Sequence, residues 1–171
     1  PFYENNNIIY YQSRGLLKED LAARPKYLSK MNGNKSLFNF NNIDNNLSSV
    51  YIFEGPIDAF FVKNSVAVGG IQENTHKTFT EYQSKQINKL MLMNKVWVLD
   101  SQWTDTASYN KTKKLIEDGQ TVFLWPKNVG KQFKDFNDMT IRYGLDEIST
   151  SFVDKHSHRG LKARTILSQI R

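Results

Sequence analysis

Four short apolar runs decide most of what this chain can fold into. Val50-Tyr51-Ile52-Phe53 stops at Glu54-Gly55, Val66-Ala67-Val68 at Gly69-Gly70, Val96-Trp97-Val98-Leu99 at Asp100, and Thr121 to Trp125 at Pro126. None alternates polar with apolar residues, as a strand with one wet face does. Uninterrupted runs of this length fit strands buried on both faces, the situation in a parallel sheet covered by helices. Helical stretches lie between them. Ile57 to Lys63 is short; Phe79 to Met93 sets Tyr82, Gln86, Ile87, Leu90 and Met91 near one stripe; Ser108 to Asp118 stops at Gly119. The order β-α-β-α-β-α-β predicts an α/β fold with a mainly parallel central sheet flanked by helices and joined by right-handed crossovers.

Outside this block the pattern differs. Phe2-Tyr3 and Ile8 to Gln12 are β-prone and flank a turn-forming Glu4-Asn5-Asn6-Asn7. Arg14 to Lys35 is basic, and Pro25 bars a continuous helix there. The Asn-rich stretch from Asn32 to Asn46 reads as loop, anchored by Leu37, Phe38, Phe40, Ile43 and Leu47. Asp138 to Tyr143 and Leu161 to Gln169 read as further helices. The division expected is therefore a small basic α+β segment over 1–48, the sheet domain over 49–145 and a helical basic tail over 146–171. Because Pro1 stands inside what reads as a strand, the chain is expected to be a piece of a longer protein.

Composition narrows the function classes. A hydrophobic fraction of 39% in 171 residues, 13% of them aromatic, suits a folded core. The absence of cysteine excludes disulfides and thiolate zinc sites. No apolar run approaches the roughly 20 residues of a membrane span, and no signal peptide opens the chain. A net charge of +6 favours a polyanionic partner.

Acids punctuate the strands. Ligands of open parallel sheets gather at the carboxyl ends of the strands, and two strands here run directly into Glu54 and Asp100. A third cluster, Asp135-Phe136-Asn137-Asp138, follows the fourth strand. Each has a plainer reading: Glu54 as a solvated turn residue, Asp100 as a turn former, and the Asp135 to Asp138 cluster as a cap for the helix beginning near Asp138. Brought to one sheet edge, the same carboxylates suit Mg²⁺ or Mn²⁺.

Val50 to Phe61, VYIFEGPIDAFF, resembles the first motif of Toprim domains, which occur in primases, topoisomerases and some nucleases. Val68-Gly69-Gly70, the second acidic strand VWVLD and the segment Lys134 to Met139, KDFNDM, follow in the family's order. The set is most similar to the primases of T-even-type phages. Tyr11 to Arg14, Pro25 to Leu28, Lys35 to Asn39 and Gly160 to Arg164 extend the likeness over most of the chain.

The resemblance implies a DNA primase catalytic fragment that makes short RNA primers on single-stranded DNA by two-metal nucleotidyl transfer. Glu54 and Asp100 would be catalytic, with Glu54, Asp100, Asp135 and Asp138 holding Mg²⁺ or Mn²⁺. Arg14, Lys26 and Lys35 would serve nucleotide and template, and Lys162 and Arg164 nucleic acid. Partners would be the template, ribonucleoside triphosphates and a replicative helicase, in the cytoplasm of an infected bacterium. The zinc-binding module of such primases is expected elsewhere in the native chain, with no zinc here. A metal-dependent Toprim nuclease and a non-catalytic nucleic-acid-binding module are the alternatives. One position departs from the pattern: many Toprim proteins carry a second acid two residues after the first, where this chain has Gln102. An acid at 102 is accordingly expected to tighten a second metal, and Asp105 is a possible substitute for it. Trp103 reads as a loop anchor or a base-stacking platform.

Overall fold

The computed structural model describes residues 1–170 apart from 16, 18, 20, 21, 23–26, 32, 34 and 71–78. At the N-terminus β1 (Phe2–Glu4) pairs antiparallel with β2 (Asn7–Tyr10), and β3 (Gln12–Arg14) with β4 (Tyr27–Ser29). Asn5 and Asn6 close the first hairpin with φ of 47° and 65°, a conformation asparagine tolerates better than most residues.

The apolar runs form the principal sheet. It is built from β5 (Ser49–Phe53), β6 (Ser65–Ala67), β7 (Asn94–Val98), β8 (Thr121–Phe123) and β9 (Ser157–His158), in the order β6-β5-β7-β8-β9. The first four are parallel, and β9 lies antiparallel to β8. The helices are α1 (Pro56–Ala59), α2 (Glu81–Lys89), α3 (Thr106–Glu117), α4 (Lys127–Gly130), α5 (Phe136–Tyr143), α6 (Thr150–Lys155) and α7 (Gly160–Ser168).

Both faces of the sheet are covered, which is why its strands carry no polar alternation. On one face Val50, Ile52, Trp97 and Val122 pack with Leu90, with Ile116 of α3, and with Ala163 and Leu167 of α7. On the other, Tyr51, Phe53, Val98 and Phe123 pack with Ala59, with Phe136 and Met139 of α5, and with Val153 of α6. Ile52 and Phe53 are neighbours pointing opposite ways, yet both are buried. Each contributes about 1.5–3 kcal/mol by leaving water.

Two expectations change, and one contact is new. The helix expected over Phe79 to Met93 is shorter: a capping box between Thr80 and Gln83 starts it, and it ends at Leu90. Met91, placed on the buried stripe, is 73% exposed; Gln86 is buried as expected, and Gln83 joins it. Residues 146–171 are built into the core rather than trailing from it. β9 extends the sheet, α7 packs on α3, and Tyr51 donates its hydroxyl proton to Asp154 at 2.9 Å. Finally, the N-terminal segment docks on the β6 side, where Phe38 and Ala67 exchange backbone hydrogen bonds of 2.8 and 3.2 Å. That contact carries Lys35 to the end of β6.

Candidate active site

The connections leaving β5 and β7 go opposite ways, through α1 to β6 and through α3 to β8. Right-handed crossovers running in opposite directions put α1 on one face and α3 on the other. A crevice opens where such connections diverge, at the carboxyl ends of the two strands. Glu54 follows β5 directly and Asp100 follows β7 after Leu99, so both stand at this crevice. It is lined by Phe53, Glu54, Asp58, Val98, Leu99, Asp100, Trp125 and Phe136.

Asp58 is the acid that the sequence reading left out. Gly55 ends the strand in extended backbone and Pro56 opens α1, which turns the first-turn Asp58 back into the crevice. Its carboxylate accepts the Asn137 backbone N–H at 3.0 Å. Asp135 stands close enough to repel half-buried Asp58 and Asp100, while its own side chain caps α5 by accepting the Asp138 N–H at 2.7 Å. The cap reading of that cluster holds for Asp135, which also lies near Asp58 and Asp100. Asp138 accepts from the Lys134 backbone N–H at 3.2 Å and pairs with Arg142 at 3.0 Å.

This crowding has an electrostatic consequence. Burial, and then the charges of Asp135 and Asp100, raise the Asp58 pKa to about 7 against the pull of the Asn137 N–H. Asp100 is raised to about 6, by burial first and Asp135 next, with Lys134 opposing. Two cations answer the acids. Lys111 of α3 reaches Glu54 at 2.9 Å, and Lys134 lies 3.8 Å from Asp100. Lys111 has no local sequence signal and Lys134 only its place in KDFNDM; they meet their partners through the crossover and the loop after β8. Asp58 did have one, the Gly-Pro helix start placing it a turn beyond Glu54.

The residues that break the two-acid pattern have a structural task. The Ser101 N–H donates to the Lys134 carbonyl at 2.7 Å, and the Ser101 hydroxyl to the Gly130 carbonyl at 2.6 Å. Trp103 Nε1 donates to the Trp125 carbonyl at 2.7 Å, and Trp125 Nε1 to the Leu99 carbonyl at 2.9 Å. Gln102 is 4% exposed. It donates to Thr112 Oγ1 at 3.1 Å and the Phe123 carbonyl at 3.2 Å, and accepts the Trp125 N–H at 3.2 Å. Together these bonds clip the loop after β7 to the loop after β8, which is how Lys134 and Asp135 arrive beside Asp100.

Gln102 is therefore a strut inside the fold and not a vacant metal position, and Trp103 is the loop anchor. Asp105 caps α3 through the Ala107 N–H and the Ser108 hydroxyl, each at 2.9 Å. Gln102→Asp is thus expected to destabilise the protein by about 3 kcal/mol, since it buries a carboxylate against a carbonyl and removes two donors. Urea denaturation checks this; an unchanged midpoint would restore the metal-position reading.

The remaining expected site residues are scattered. Lys35 Nζ donates to the Gly69 and Gly70 carbonyls at 2.8 and 3.3 Å. Burial lowers its pKa while Glu54 opposes the shift, so it belongs to the same edge. Arg14 is exposed on β3, and Lys162 and Arg164 are exposed on α7, in the helix layer of α3. Lys26 lies outside the described residues.

Among the described residues no three His, Asp or Glu side chains stand ready to enclose a metal ion. The donor set nonetheless fits a hard divalent cation. Its atoms are carboxylate oxygens, and two of the acids are held where their own charge is disfavoured, a stress that a cation relieves. No helix among the described residues is long and apolar enough to cross a membrane.

Fold and site together define an α/β domain with a carboxylate cluster, offset by lysines, at the switch point of a mainly parallel sheet. No family model matches the chain. Over 121 residues, 70% of its length, it is 30% identical to a DNA primase of Enterobacteria phage T4. The chain spans about a third of that relative, 32% of its length.

Proposed function

We propose that this chain is the Toprim catalytic core of a DNA primase that makes RNA primers on single-stranded DNA from ribonucleoside triphosphates. The observation that carries the reading is the convergence of Glu54, Asp58, Asp100 and Asp135 at the carboxyl ends of β5 and β7, in a chain related to a primase. These four carboxylates would hold Mg²⁺ or Mn²⁺, with Asp138 flanking them. When bound, such ions neutralise triphosphate charge and polarise the bond to be broken.

The chain's own residues prepare the rest. Lys111 and Lys134 set ammonium groups beside the acids, where the phosphates of an incoming nucleotide would meet them. Lys35 adds a third, fixed by the Gly69 and Gly70 carbonyls. Trp125, Phe53 and Phe136 form the apolar floor that strengthens these charges by excluding water. A replicative helicase as partner and the cytoplasm of an infected bacterium as location belong to the same reading.

The test is incorporation of labelled ribonucleotides into alkali-labile oligomers on single-stranded DNA with Mg²⁺ or Mn²⁺. Glu54→Gln is expected to lose the product and keep the fold. Cleavage of the template instead would favour the nuclease reading, and equal product from both proteins would remove the acids from catalysis.

A further inference from the structure

Beyond the acids, the loop after β8 carries a row of lysines, of which the site chemistry uses Lys134 but neither Lys127 nor Lys131. Residues 119–134 contain no acid, and Lys127, Lys131 and Lys134 are spaced i, i+4, i+7. The backbone is helical over Lys127–Gly130 and turns on to Gln132, which sets Lys127 and Lys131 one turn apart on the same side. The Lys131 N–H donates to the Lys127 carbonyl at 3.3 Å and the Phe133 N–H to the Val129 carbonyl at 3.1 Å. The underside of this turn is apolar and packed, with Phe133 and Gly130 buried, while Lys127 and Lys131 are exposed.

The row is held in place. Gly130 is clipped by Ser101, and Lys131 Nζ lies 5.4 Å from the centre of the Trp103 ring, itself tied to the Trp125 carbonyl. At its far end Lys134 stands 3.8 Å from Asp100. A row of lysines on an anchored backbone thus starts on open surface and ends at the acids.

We infer that Lys127 and Lys131 form a phosphate track along which a single-stranded polynucleotide reaches the acidic crevice. A polynucleotide fits better than a free nucleotide because Lys127 and Lys131 are exposed on a surface turn and do not line the crevice. Small ligands are held in concave sites, whereas an extended polyanion gains affinity from successive open contacts. The inference rests on the nucleic-acid reading proposed above and adds the surface that guides the strand.

The experiment is fluorescence anisotropy with labelled oligo-dT of about 20 nucleotides, longer than a typical single-strand site. It runs over a salt series, without divalent metal or nucleotide. Lys127→Ala/Lys131→Ala is expected to weaken binding and to make the slope of log K against log salt shallower by about 1.4, two contacts at about 0.7 each. Lys85→Ala/Lys89→Ala on α2 removes the same charge and should leave the slope unchanged, and Lys127→Arg/Lys131→Arg should restore it. An unchanged slope in the Lys127/Lys131 alanine variant, or an equal loss in the α2 control, overturns the track and leaves the primase reading standing. A wild-type protein that does not bind the oligomer at all overturns both. A loss confined to binding of ATP, with oligomer binding intact, overturns the polynucleotide assignment.

Discussion

Asp58→Asn is expected to reduce RNA synthesis at least about a thousandfold while making the metal-free protein more stable at pH 8. The first effect follows from removing one carboxylate of four at the crevice; a thousandfold corresponds to about 4 kcal/mol of transition-state stabilisation. The substitution keeps an oxygen that can accept the Asn137 N–H, so α5 stays anchored. The second effect follows from the raised pKa. The folded state holds Asp58 at about 7 against its ordinary value of 3.8. Its folded form therefore favours the protonated acid. The penalty is absent below about pH 4, grows as pH climbs toward 7 and is complete above it.

The full shift would be worth about 4 kcal/mol, and about half of that remains after allowance for solvent exposure and the coupled acids. Thermal melts of both proteins from pH 4 to pH 8 in EDTA check this. The melting temperatures should coincide at pH 4 and separate upward, with the variant higher. Mg²⁺ should narrow the gap by stabilising the wild type. Parallel melting curves with full activity would remove Asp58 from the site.

Gly130→Ala should cost about 3 kcal/mol of stability, a fall in melting temperature of roughly 10 °C for a chain of this size. Gly130 does not have a positive φ, so backbone strain is not the cause. The cause is space. A Cβ at this position would overlap the Trp103 ring and lie 2.7 Å from Trp125 Cβ and 2.9 Å from Ser101 Oγ. Trp103 cannot swing away without breaking its bond to the Trp125 carbonyl, and Trp125 Cβ moves only with its backbone. The helical turn would have to lift, carrying Lys131 and Lys134 away from Asp100. Reduced stability accompanied by weaker oligomer binding is therefore expected; a neutral alanine would show that the clip is loose.

The parallel sheet was legible because burial on both faces leaves an uninterrupted apolar run, a local signature that β5 and β7 carry in full. The site was legible where an acid directly ends such a run, as with Glu54 and Asp100. Asp135 and Asp138 were visible only as a cluster with two readings, and the structure shows Asp135 capping α5 while standing near Asp58 and Asp100. Gln102 was misread because sequence spacing shows which position a residue holds after a strand, but not which way its side chain turns. Here it turns inward, to partners 10, 21 and 23 residues away.

What the sequence determined by itself was the α/β order of elements and the two strand ends where ligands gather. Only the tertiary structure decided the set of acids that share the crevice, their lysine counter-charges, and the inclusion of residues 146–171 in the core. The reason is physical. Strand burial is written in neighbouring residues, whereas Lys111 meets Glu54 across 57 positions through a crossover helix. Likewise, β9 is a two-residue edge strand whose pairing depends on β8 already being in place.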